Sequence, residues 1–203
     1  MKIQFLTKPI AAALAACLVA VSVWSLPVRA QQDDHNHGQT PAKPMTPEQQ
    51  KNANLLIQTV RDNTFLFQSP ANLPSGYGLL FGCVSGDSNE GAMGLHYVNT
   101  DLVFDGGALN PNTPEIILYE ALPGGKQKIT GVDYAVLQAD WDANNPKNPP
   151  QLFGQLFHLI TFPNRFGLDA FYTLHVWAWK ENPNGPFANW NPNVSCQNFN
   201  GHS

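Results

Sequence analysis

The chain has 203 residues, 43% of them hydrophobic, 11% aromatic and only 13% charged, with a formal net charge of −4. A typical domain carries about 25% charged residues; here polarity comes instead from 20 Asn, 17 Pro and 16 Gly. That balance excludes a disordered acidic tail, a helical bundle and a coiled coil. With no basic cluster to neutralise phosphates, it also excludes a nucleic-acid partner.

Lys2 and Lys8 flank the start of an apolar run over residues 10–24, and Val28-Arg29-Ala30 forms a small-residue cleavage site before Gln31. These are the three parts of a secretory signal peptide over residues 1–30. At about 15 residues the run is shorter than the roughly 20 that cross a bilayer, so no stable membrane span is expected after cleavage. Leu14-Ala15-Ala16-Cys17 resembles a lipobox, but a lipoprotein turns polar after its cysteine, and this run continues through Leu18, Val19 and Val21. Cleavage after Ala30 lowers the basic count from 11 to 8 against 15 acids, a balance of −7, and removes Cys17. Cys83 and Cys196 remain, and in an oxidising compartment two cysteines are expected to pair. Two buried thiols are the alternative; no C-x-x-C spacing suggests a metal pair. A bridge would close a loop of 113 residues and contribute about 4.7 kcal/mol in the chain-entropy account. The expected address is therefore exported, periplasmic or secreted.

Residues 31–44 are Gln, Asp, His, Asn and Pro with little apolar content and read as a disordered leader. Its His35-Asn36-His37 beside Asp33 and Asp34 could capture a soft divalent ion weakly, but a solvated flexible tail is the preferred reading. Order is expected to begin at Thr46-Pro47-Glu48-Gln49, a capping box with Pro at the first helical position. Ala53, Leu56, Val60 and Phe67 follow at helical spacing, widened by Leu55 and Ile57, and the helix ends before Ser69-Pro70. The remainder predicts strands over 77–84, 92–98, 115–121, 127–137 and 171–180, with a hairpin through Leu122-Pro123-Gly124-Gly125-Lys126. Long Asn/Pro/Gly loops separate them, and residues 182–199 read as an irregular lid fixed by Cys196. The fold class expected is α+β over a single globular domain, residues 45–203. One N-terminal helix packs on an antiparallel sheet of about five strands. A β-sandwich or a cupin-like barrel with an appended helix is the alternative.

Several long strings form a pattern: Gly91-Ala92-Met93-Gly94-Leu95-His96-Tyr97-Val98, Pro114-Glu115 through Tyr119-Glu120, and Gly131-Val132-Asp133-Tyr134. Leu152-Phe153-Gly154-Gln155-Leu156-Phe157, Tyr172-Thr173-Leu174-His175-Val176-Trp177-Ala178-Trp179 and Trp190-Asn191-Pro192-Asn193-Val194-Ser195-Cys196 complete it. Together they resemble a group of exported bacterial proteins to which no function is assigned. The resemblance implies that His96 and His175 belong to the pattern, whereas His35, His37 and His158 are peculiar to this chain. It implies no reaction and no cofactor.

His96 and His175 each fall inside a hydrophobic strand, where an imidazole needs a partner. Period-two alternation puts Thr173, His175, Trp177 and Trp179 on one face of their strand, and Glu120 on the face of Ile116 and Leu118. Two His and one carboxylate are the facial triad of non-haem iron sites, or three of four ligands of a catalytic zinc. His96, Glu120 and His175 are therefore the candidate metal ligands, with a divalent transition metal as cofactor and a metal-bound water as the reactive species. The bland alternative is a structural network in which the same groups satisfy one another, completed by Tyr97, Tyr119 or Tyr134. Trp177, Trp179 and Trp190, with abundant Asn, make a second candidate, a carbohydrate- or envelope-binding face; the preferred reading of the rings, supported by Cys196 close by, is that they fill the core under the C-terminal lid. A structural envelope protein without a small-molecule site is the third reading. No G-x-S-x-G elbow or phosphate loop in strand–turn–helix context occurs.

Overall fold

The structure, a computed structural model, describes residues 45–201 apart from Ser88. The signal peptide (1–30), the leader (31–44), Cys17, His35, His37 and His202 lie outside the described residues.

Helix α1 spans Pro47–Thr64 and begins with the expected capping box: the Thr46 hydroxyl accepts from the Gln49 N–H, and the Gln49 side chain accepts from the Thr46 N–H. Its buried stripe is Ala53, Leu56, Val60 and Thr64; burying Leu56 and Val60 is worth about 1.5–3 kcal/mol each. Leu55 is 44% exposed and does not widen that stripe. Then follow β1 (Tyr77–Ser85), β2 (Ala92–Asn99), α2 (Thr100–Val103), β3 (Ile116–Ala121), β4 (Gln127–Leu137) and α3 (Gln138–Asn144). The chain closes with β5 (Gln151–Leu152), β6 (Gln155–Leu156), β7 (His158–Ile160) and β8 (Phe171–Val176).

Six strands form one sheet in the order β1-β2-β3-β4-β8-β7, every neighbouring pair antiparallel. The β1 and β7 edges do not pair, so the sheet is open rather than a barrel, and the second sheet is only the β5–β6 ribbon. This is an α+β arrangement with one strand more than expected; β7 is three residues long, too short for a periodicity to register.

Alternation divides each central strand between two apolar faces. Leu95, Ile117, Tyr119, Val132, Tyr134, Leu174 and Val176 pack with Leu56 and Val60 of α1. Val98, Ile116, Leu118 and Ala135 form a second cluster on the opposite face, with Phe81 and Val103 against it. The tyrosines on the helix side donate to loop carbonyls, Tyr119 to Phe67 and Tyr134 to Pro111, so their hydroxyls are satisfied away from any histidine. α1 is tied to the segment after β8 by Arg61 Nε donating to the Ala178 carbonyl and by Trp179 Nε1 donating to Thr64.

The C-terminal segment crosses back over the sheet. Asn191 bridges to Ala92, and Cys196 joins Cys83 with S–S 2.04 Å and Cα–Cα 5.5 Å. Close approach demands glycine at Gly91, where φ is +83° and a Cβ would lie 2.0 Å from the Asn191 carbonyl oxygen. No helix among the described residues is long and apolar enough to cross a membrane.

Candidate functional site

On the face opposite α1 three buried titratable side chains converge: His96 from β2, Asp133 from β4 and His175 from β8, 3%, 4% and 2% exposed. Register brings them together. His96 stands opposite Leu118 on β3, Ile116 of the same strand stands opposite Asp133, and Asp133 stands opposite His175. Each of the three offers one donor atom, and these atoms lie within 4.8 Å of one another.

Each is held differently. His96 Nδ1 lies 3.0 Å from the Gly94 carbonyl oxygen, which can only accept, so Nδ1 carries the proton and Nε2 keeps its lone pair. Gly94 provides that carbonyl at φ +93°, with no room for a side chain: a Cβ would sit 2.4 Å from the Tyr119 carbonyl oxygen. Asp133 accepts from the Thr173 hydroxyl through Oδ1, and its Oδ2 lies 3.5 Å from His175 Nε2. The His175 ring stacks on Trp177, with centroids 6.2 Å apart. Neither of its nitrogens has a hydrogen-bond partner among the described residues.

Burial dominates the electrostatics. It lowers His96 to about 4, helped by His175, and lowers His175 to about 3, helped by His158. Both imidazoles are neutral at pH 7, the form that ligates metals. Burial raises Asp133 to about 6, opposed by the Thr173 hydroxyl and by His96, so its carboxylate is mostly ionised at neutral pH.

A cavity of about 70 Å³ lies against this cluster, within a concavity of about 750 Å³ counted out to solvent. Its walls are Phe81, Val98, Ile116, Ala135, Phe166 and Phe171, and its mouth carries Leu80 and Phe104, 55% and 61% exposed. Asn189 lines it too, with a buried Oδ1 that has no partner among the described residues.

Of the three ligands expected from sequence, the structure brings His96 and His175 together and leaves Glu120 elsewhere. Glu120 does share their face, but it pairs with Lys128 in register, four positions beyond Ile116 and roughly 13 Å along the strand at 3.3 Å per residue. There Lys180 donates to its Oε2 and the Ser195 N–H to its Oε1. The carboxylate beside the histidines is Asp133, which sequence reasoning missed. Its signal was the same as that of Glu120: an acid at an apolar-face position of a long strand, between Val132 and Tyr134.

The tryptophans do not share a platform. β8 ends at Val176, the alternation stops, and Trp179 turns to the α1 side while Trp177 remains on the other, 3% exposed and donating to the Ala188 carbonyl. Trp190 is half-buried with the Arg165 guanidinium 5.7 Å above its ring. The exposed His158 stands opposite Thr173 and outside the cluster.

Compared with known proteins, the chain matches no family model, no curated protein and no solved structure.

Proposed function

We propose that this is an exported metal-binding protein that holds a divalent transition metal through His96, Asp133 and His175 at the foot of an apolar pocket. The observation that carries the reading is His175: a fully buried imidazole with both nitrogens unpartnered, 3.5 Å from a buried carboxylate. A buried polar group without a partner costs about 1–3 kcal/mol, and a self-satisfied structural network would not leave one. His96 supports it further, since a carbonyl on Nδ1 fixes the tautomer with Nε2 free, the usual outer-sphere arrangement of a metal-bound histidine. A tetrahedral ion holds its donors about 3.4 Å apart at the usual bond lengths. The widest pair here therefore needs to close by no more than about 1.4 Å, within the reach of side-chain rotation.

Two neutral imidazoles and one carboxylate leave a dication with a net positive charge and at least one open position, where it can polarise a bound water or a substrate oxygen. The Cys83–Cys196 bridge fits an oxidising, exported setting, as does the signal-like pattern of residues 1–30. The likeness to exported bacterial proteins points the same way.

Metal analysis of protein purified from the periplasm, followed by calorimetric titration with Zn²⁺ and Co²⁺, tests the reading. About one equivalent is expected. His175→Ala and Asp133→Asn should each weaken binding by at least about 100-fold, and Glu120→Gln should leave it unchanged. Less than about a tenth of an equivalent, with no change of Tm on chelation, would refute the metal site.

A further inference from the structure

We infer that the pocket above His96, Asp133 and His175 takes a small uncharged molecule with an apolar body and a single hydroxyl head, of the alkylphenol or alcohol class. The inference deepens the metal-site reading by naming what would lie beside the ion, and its test is arranged so that the two fail separately.

Charge sets the first limit. Among the described residues no lysine or arginine lines the pocket. The neighbouring cations are committed elsewhere, Arg165 to the Ser85 carbonyl and the Trp190 ring, Lys180 to Glu120. In the metal-free protein, the state in which the pocket is tested below, an anionic ligand would lose its hydration with no counter-charge from the walls, and Asp133 at the floor would repel it. A cationic ligand would have to displace the proposed ion from Asp133, the only acid in the lining among the described residues.

Shape and polarity set the second. Phe81, Phe166 and Phe171 stand as edge-to-face rings along one wall, with Phe81–Phe166 centroids 5.3 Å apart and Phe166–Phe171 5.9 Å. Such a wall rewards a flat or extended hydrocarbon. The exposed Leu80 and Phe104 continue the apolar surface out to the mouth, so the body can extend there. Beyond the histidine cluster the lining offers Asn189, whose unpartnered Oδ1 is an acceptor in want of a donor. A hydroxyl can donate to Asn189 and accept from the one N–H that neutral His175 carries; a pure hydrocarbon would leave both unsatisfied.

The experiment compares 4-butylphenol with 4-butylbenzoate, matched in body and differing in head charge, by calorimetry at pH 7 on chelator-treated protein. Butylphenol should bind at least tenfold more tightly than butylbenzoate. Asn189→Leu should weaken butylphenol about fivefold, the worth of one hydrogen bond, and leave butylbenzene unchanged. Ala135→Phe, which fills the cavity, should abolish binding of all three; Asn189→Leu covers the case in which that variant does not fold. Butylbenzoate binding as tightly as butylphenol, or no binding of either, overturns the inference. Because the ion is absent from this measurement, butylphenol binding without any metal binding refutes only the metal site. Metal binding without butylphenol binding refutes only this one.

Discussion

Replacing Glu115 by Gln should remove a large, pH-dependent destabilisation. Glu115 immediately precedes β3 and is 2% exposed, and its Oε2 accepts from the Ala135 N–H, two residues beyond Asp133. β4 runs past the start of β3 here, so the side chain supplies an acceptor that the ladder no longer provides. Burial raises its pKa from 4.5 to about 8, opposed by the N–H donors and reinforced by Asp133 and Asp105. A folded pKa above the unfolded one means the stabilisation is whole below about pH 4.5 and is lost as pH rises through about 8. With those two values the residue costs the folded state about 1 kcal/mol at pH 5 and about 3 kcal/mol at pH 7. His96 and His175 work in the opposite direction. Their lowered pKa values give stability that is present above about 6.5 and lost as pH falls toward 4 and 3. Asp133, raised to about 6, works in the same direction as Glu115, so the wild-type profile between pH 5 and 7 is a near-cancellation, and the difference between Glu115→Gln and wild type isolates the Glu115 carboxyl. Urea unfolding of both proteins in the metal-free state, followed by tryptophan fluorescence at pH 5, 6 and 7, should show that difference growing by about 2–3 kcal/mol in favour of the variant. Parallel curves would mean that Glu115 is ionised in the folded protein, and the argument from its burial fails.

Two further changes test the frame that holds the site. The double variant Cys83→Ala/Cys196→Ala frees a loop of 113 residues and should lose about 4–5 kcal/mol in urea unfolding; a loss below about 1 kcal/mol would show that the bridge does not restrain the unfolded chain as the entropy account requires. Gly94→Ala places a Cβ 2.4 Å from the Tyr119 carbonyl at φ +93° and should cost at least about 2 kcal/mol. It should also weaken metal binding by shifting the carbonyl on His96 Nδ1. Gly78→Ala, whose Cβ meets nothing within 4 Å, is the control and should stay within about 0.5 kcal/mol. Equal behaviour of the two glycine variants would contradict the packing described at β2.

Much of the fold was legible because the signals were local. Thr46-Pro47-Glu48-Gln49 specifies a helix start through hydrogen bonds within four residues, and α1 begins where that motif places it. The four long strands through β4 begin within one residue of the run that alternation and turn residues mark. The last strand shows where such reasoning stops. Phe171 to Val176 alternates as expected, but Trp177-Ala178-Trp179-Lys180 reads equally well as strand from composition. What ends β8 is tertiary: the Thr130 carbonyl accepts from both the Trp179 and Lys180 N–H groups, and α1 captures the Trp179 ring. No neighbour in sequence reports either contact.

The site divides along the same line. Alternation within a strand identifies which side chains share a face, and it put His96, Glu120 and His175 on apolar faces correctly. Choosing among the acids on that face needs register between strands, which is fixed by hairpin geometry and by a bulge at Leu118/Tyr119. Asp133 and Glu120 are chemically alike and were equally anomalous as acids in apolar strands; only the pairing of Ile116 with Asp133, and of Asp133 with His175, separates them. The remaining difference is the partner each acid finds. Lys180 reaches Glu120 from beyond the end of β8, where the chain is already turning toward solvent and the lysine side chain is 31% exposed. Asp133 has the Thr173 hydroxyl, the Leu174 N–H and an imidazole that makes no hydrogen bond among the described residues, and no cation. A buried acid with a cation is a structural pair; a buried acid beside two neutral, geometrically convergent histidines lacks the positive charge that would neutralise it. That deficit, added to the unpartnered nitrogens of His175, makes this corner of the sheet the place to look for an ion.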